Sequence, residues 1–184
     1  MNARSQALYH FPAARGEEQL RHMERLEHDG VCVFCPEYFA AFHREPVEIA
    51  GKHWYVTKND YPYAGTRAHY LIVSNRHVCS FEDLPDEAGS ELWALKRQLE
   101  QRLSPRAVAT VERSGDMRYN GGSVAHLHVH FVALGDTPES TVRFKVSMEA
   151  ESAAHPQQNE PTDAPHETAR TKETHGDHQR NLQL

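Results

Sequence analysis

Apolar and polar residues alternate without a break in HLHVHF, residues 126–131. In an extended strand successive side chains point to opposite faces, so His126, His128 and His130 share one side and Leu127, Val129 and Phe131 the other. The pattern predicts a strand over Val124 to Leu134. Upstream, the runs Val47 to Ile49 and Trp54 to Thr57 flank the turn signal AGK and predict a β-hairpin ending near Lys58. HYLIV, from His69 to Val73, predicts a central strand, Val108 to Arg113 another, and TVRFKV (141–146) a final edge strand. Leu92, Leu95, Leu99 and Leu103 form one helical stripe, opened by Pro85 with Asp86 and Glu87 in the first turn and closed by SPR. Leu20, Met23 and Leu26 within Gly16 to His28 fit a short amphipathic helix or an ordered arm. The order ββ-β-α-β-β predicts an α+β fold built on an antiparallel sheet with one main helix.

Composition sets the boundaries. A chain of 184 residues with 39% apolar content fills one ordinary core. Residues 1–15 are expected as a flexible arm and 16–148 as the domain. From Glu149 the only apolar residues are alanines and two late leucines, so 149–184 is expected as a disordered tail. That tail carries seven acids against three bases, about four of the six net negative charges, and leaves the domain nearly neutral. No nucleic-acid-binding surface is expected. The N-terminus lacks an apolar segment with a cleavage site and no stretch approaches the ~20 apolar residues of a membrane span, so a cytoplasmic protein is the default. His155, His166, His175 and His178 are irregularly spaced among acids and prolines, which suits a solvated linker better than a metal store.

Three in-register histidines directly after Gly121, Gly122 and Ser123 suggest chemistry more than a polar strand face, because a glycine turn can cradle an anion with backbone N–H groups. Cys32-Val33-Phe34-Cys35 has the gap that lets two thiolates reach one metal. Two alternatives stay open: a redox pair, disfavoured by Pro36 directly after Cys35, or two small buried hydrophobes. Cys79, His53 and His69 are expected to be structural.

H-L-H-V-H-F-V (126–132) resembles the signature of the histidine triad (HIT) family, His-φ-His-φ-His-φ-φ with φ apolar. GGSVAHLHVH and AHYLIVSNRHV resemble two further family segments, and the likeness covers roughly residues 31 to 134. The resemblance implies a HIT-like fold and a nucleotide hydrolase or nucleotidyltransferase. In it His128 attacks an α-phosphorus and His130 hydrogen-bonds the phosphate or leaving group. The resulting nucleotidyl-imidazole is resolved by water or another acceptor. A neutral imidazole at pH 7 is a competent nucleophile if its other nitrogen is held as N–H by an acceptor such as a backbone carbonyl. Backbone donors at Gly122 and Ser123, with the Ser123 hydroxyl, are expected on the non-bridging oxygens. The zinc-bearing branch and its galactose-1-phosphate uridylyltransferase relatives imply His77 and His126 as partners of Cys32 and Cys35, giving one structural zinc per chain. A homodimer is implied as well, consistent with a helix and sheet too few to cover each other.

Three departures bear on substrate. Gly122 stands where many members have glutamine. KNDYPYAGTRAH is longer than the usual segment before the HYLIV strand, so that Asn59 or Asp60 falls where the family binds the ribose. ALGD after the triad lacks the usual basic residue. The expected substrates are nucleoside monophosphate esters, anhydrides or amidates, such as diadenosine polyphosphates or adenosine phosphoramidates. The alternative is a zinc-stabilised nucleotide-binding module without turnover.

Overall fold

The computed structural model describes residues 7–135 and 142–144. Its strands are β1 (Val47–Ala50), β2 (Trp54–Lys58), β3 (Thr66–Ser74), β4 (Val108–Glu112) and β5 (His128–Leu134). They form one antiparallel sheet in the order β1-β2-β3-β5-β4. The helices are α1 (Glu17–His28), α2 (Pro36–Phe42), α3 (Asp86–Leu103) and α4 (Met117–Asn120). The α+β reading therefore holds, with the hairpin, the central strand and the long helix where the sequence pattern puts them. The hairpin is tight because Gly51 N–H donates to Trp54 O at 2.8 Å. A Cβ at Gly51 would stand 2.8 Å from that same oxygen, so only glycine closes the turn without displacement.

The leucine stripe of α3 buries Ala88, Leu92, Leu95 and Leu99 against Trp54, Val56, Tyr70, Ile72, Leu127, Val129 and Phe131. This is the apolar side of the β5 alternation, and each fully buried large side chain contributes roughly 1.5–3 kcal/mol of transfer free energy. The helix ends at Ser104, which takes a left-handed φ of 43° before Pro105. The opposite face of the sheet presents Tyr55, Leu71 and Val73 to Met23 and Leu26 of α1, Phe39 of α2 and Cys32 to Cys35. Both faces are thus covered within one chain, which corrects the expectation that helix and sheet are too few to cover each other.

Gly16 to His28 takes the helical option of the sequence reading, as α1. Three local features differ from that reading. From residue 7 the segment read as an arm packs into the domain. Tyr9 is buried, its N–H donates to Glu27 Oε2 (2.9 Å) and its hydroxyl lies 2.9 Å from both Val31 O and Val33 N. An isolated tyrosine has no periodicity to announce such docking. Tyr9 also bridges Val124, so the strand expected from Val124 starts only at His128. Finally, a helix does begin directly after Cys35, with Pro36 in its first turn. Proline suits that position because its missing N–H would be unpaired there anyway. Of the expected edge strand, only 142–144 are among the described residues, and they carry no strand. The expected tail lies outside the described residues. Among the described residues no helix is long and apolar enough to cross a membrane.

Candidate active site and metal centre

β5 and β3 bring the chemistry together. In their register Val73 faces His128 and Leu71 faces His130, so the histidines emerge on the same side of the sheet as Leu71 and Val73. His128 and His130 are 6% and 3% exposed, and their ring centroids lie 5.0 Å apart. His128 Nδ1 lies 2.6 Å from His126 O. Because a carbonyl only accepts, Nδ1 carries the proton and Nε2 keeps its lone pair. Burial holds the His128 imidazole down to about 4, helped by the charges of Arg113 and Arg15, so it is neutral at pH 7.

His69 sets the state of His130. Tyr63 N–H donates to His69 Nδ1 (3.1 Å), which leaves the neutral ring protonated at Nε2. Nε2 lies 2.9 Å from His130 Nδ1, so it donates there and His130 carries its own proton on Nε2. The pair is diagonal across the β3–β5 ladder, since His69 itself faces Val132. The long 58–69 segment thus delivers Tyr63 to His69, and a residue expected to be merely structural becomes part of a proton chain. Burial, with Arg15 next, pushes His69 down to about 3.

Other expected site residues divide. Ser123 is buried and lines one cavity with His128 and His130. Gly122 N–H instead donates to Asn120 Oδ1 at 2.8 Å, and a Cβ there would stand 2.9 Å from the same atom. Asn120 therefore occupies the room a glutamine side chain would need. The Asn59 amide nitrogen lies 3.1 Å from His69 Nε2, and its oxygen accepts Tyr61 N–H at 3.0 Å. Asp60 accepts Arg44 N–H at 3.1 Å and lies 3.3 Å from His43 Nδ1. Both line an open cavity with about 480 Å³ of empty space, which His128 and His130 also line, with Met23, Val33, Phe34 and Leu71 as its apolar wall. His22 and His43 line it too. Neither has a sequence signal, because they come from helix faces and loop ends that only the fold brings to the strand.

His126 lies just before β5 and joins a second cluster. His126 Nδ1 lies 3.4 Å from Cys32 Sγ and 3.7 Å from Cys35 Sγ, and Cys35 Sγ lies 3.3 Å from His77 Nδ1. All four candidate ligand atoms lie within 4.8 Å of one another. A tetrahedral zinc with ordinary bond lengths has sulfur–nitrogen edges of roughly 3.5 Å, so the donor set fits a metal. His126 Nε2 is bonded to Ser74 O at 2.8 Å, which turns Nδ1 toward the centre. Burial, with Cys35 next to it, pushes the Cys32 thiol up to about 12, so a pair of thiolates needs a cation there. Cys79 stands apart, its Sγ donating to Ala125 O at 3.4 Å, and His53 lies outside both clusters, its N–H on Glu91.

Fold and site together define an α+β protein with a buried histidine pair at a cavity and a Cys₂His₂ cluster beside it. The HIT domain family model matches residues 51–136, and that part of the chain is a HIT domain. No curated protein matches the chain significantly. Among solved structures, it is similar to a histidine triad nucleotide-binding protein from Candida albicans at 19% identity and a TM-score of 0.48, over 64% of this chain and 83% of that one. A Zn-bound histidine triad family protein from Mycobacterium smegmatis matches at 18% identity and a TM-score of 0.48, over 60% and 79%. A HIT family hydrolase from Clostridium thermocellum matches at 16% identity and a TM-score of 0.46, over 60% and 94%.

Proposed function

We propose that the protein is a nucleotidyl hydrolase or transferase that cleaves nucleoside monophosphate esters, anhydrides or amidates through a nucleotidyl-His128 intermediate. The observation that carries this reading is the 2.6 Å contact between His128 Nδ1 and His126 O. It leaves Nε2 unprotonated, and it strengthens as Nε2 bonds to phosphorus and Nδ1–H becomes more acidic. In the first step Nε2 attacks the α-phosphorus while the bond to the leaving group breaks, His130 Nε2–H hydrogen-bonds the departing atom, and that atom takes any proton it needs from water. Ser123 offers its N–H and hydroxyl to the non-bridging oxygens. Water or another acceptor then attacks the phosphorus, gives its proton to solvent, and releases the nucleotide and neutral His128. Gly122 contributes to this cradle only if Asn120 releases its N–H. Asn59 and Asp60 are placed to meet the nucleoside sugar through whatever lone pairs their present bonds leave.

Cys32, Cys35, His77 and His126 are assigned to one structural Zn²⁺ per chain. Four protein ligands leave no open position, so the metal would tie the Cys32–Cys35 knuckle to β5 and take no part in transfer. A homodimer is the proposed unit, supported by Trp93, which is 65% exposed on α3. The functional test is to mix the protein with adenylate esters and anhydrides and follow AMP. Release of AMP by the wild type and not by His128→Ala supports transfer. Tight nucleotide binding without release in the wild type would favour a binding module.

A further inference from the structure

His22 reaches the His128 cavity from α1, outside residues 51–136. One of its two ring nitrogens is engaged and the other is not. Nδ1 lies 3.2 Å from the Tyr61 hydroxyl, which also lies 3.2 Å from Arg44 Nη2. A guanidinium only donates, so the Tyr61 oxygen accepts from Arg44 and turns its own proton to His22 Nδ1. The neutral ring therefore carries its proton on Nε2. Burial, with Arg25 next, holds the imidazole below its ordinary value, so it stays neutral at pH 7. Nε2 is buried and has no hydrogen-bond partner among the described residues. A buried donor without a partner is destabilising, and a ligand that brings an acceptor removes that cost.

Other polar groups of the lining already have partners. The Tyr9 hydroxyl is bonded to Val31 O and Val33 N–H, and Gln19 Oε1 accepts the Arg15 N–H at 2.8 Å. Met23, Leu26, Val33, Phe34 and Leu71 supply apolar surface to the same cavity. Apolar walls with one neutral donor suit a flat heteroaromatic ring, which packs by its faces and bonds by its edge. Asn59 and Asp60, placed above at the nucleoside sugar, lead directly to Tyr61, which holds His22. We propose that His22 is a specificity-determining residue whose Nε2–H donates to a ring nitrogen of the nucleobase. This inference rests on the function proposed above. Adenine suits the donor best, because its N1, N3 and N7 are all acceptors. Guanine and uracil carry a ring N–H, which would meet a donor with another donor. Base choice is then set by α1, outside the HIT domain.

The test is equilibrium binding, by calorimetry on the full chain, of AMP and its 1-deaza, 3-deaza and 7-deaza analogues. In each analogue one ring nitrogen is replaced by C–H, which cannot accept. Wild type should bind one of the three at least about tenfold more weakly than AMP and the others within about threefold, as expected for loss of one buried hydrogen bond. His22→Phe, which keeps a flat ring without the donor, should bind AMP and that analogue within about twofold of each other. His22→Gln, whose amide can still donate, should fall between. Circular dichroism checks that each variant is folded. Equal binding of all four ligands by wild type, or an undiminished gap in His22→Phe, overturns the assignment. Cleavage does not enter these measurements. The expected ratios in a protein that releases no nucleotide from any substrate would defeat the transfer reading and leave His22 as the base-reading residue. Release of AMP by a protein indifferent to the ring nitrogens would do the reverse, and a protein that binds none of the four ligands would defeat both.

Discussion

The two faces of the sheet use the same strands for opposite purposes. On the α3 face, Leu127, Val129 and Phe131 meet the apolar stripe of the helix. On the α1 face, His128 and His130 alternate with them and are just as buried, but their partners are a carbonyl, another histidine and a cavity. Burial on the first face yields stability through area removed from water. On the second it disfavours imidazolium and so keeps the nucleophile and its hydrogen-bonding neighbour neutral. A one-residue shift of β5 would exchange the two, which is why its register against β3 matters for chemistry as well as folding.

Adjacent substitutions should separate the two purposes. His128→Ala is expected to reduce kcat by at least ~10³ while leaving the thermal midpoint within a few degrees, as measured by steady-state kinetics and calorimetry. Phe131→Ala, three residues along and on the other face, should cost about 3–5 kcal/mol of stability in urea unfolding. Activity of the folded fraction should survive it. Comparable losses of both quantities in both variants would erase the distinction between the faces.

The metal cluster tests the seam between the sheet and the knuckle. Replacing Cys32 and Cys35 together by serine should remove about one zinc per chain relative to wild type and lower the melting temperature, because binding free energy appears as folding stability. Affinity should fall as pH drops, since thiolate ligands must lose protons to bind. Equal metal content in variant and wild type, counted after dialysis, would leave the cysteines as core residues.

A smaller effect is expected at His69. Its folded-state value of about 3 lies below the ordinary 6.5, so the unfolded chain binds a proton that the folded chain refuses. Its contribution is therefore fully present above about pH 6.5 and is lost progressively as pH falls toward 3. His69→Gln should flatten that part of the stability profile in acid unfolding. It should also lower kcat by about 10²-fold, because nothing then fixes the His130 proton. A steeper acid profile in the variant would contradict the assignment.

Much of this arrangement is readable from spacing. The period-two run specifies which residues of β5 are buried against α3, and the leucine stripe specifies the helix that covers them. What spacing does not carry is contact between distant segments. Tyr9, Arg15, His22 and His43 reach the site from stretches with no motif, held by a few hydrogen bonds and ring contacts each. His69 was visible as a residue but not as a partner, because its role depends on a diagonal approach across two strands and on the Tyr63 N–H. Gly122 shows the reverse case. Its motif pointed to phosphate, yet its N–H is bonded to Asn120, a side chain two residues away.

The proposed chemistry meets its most direct trial in mass spectrometry of the protein quenched during turnover of an adenylate substrate. A single adenylyl group on the peptide containing His128, acid-labile and absent from His128→Ala, is the expected result. Steady turnover with no adduct on that peptide, or with the adduct on His130, would contradict nucleophilic attack by His128.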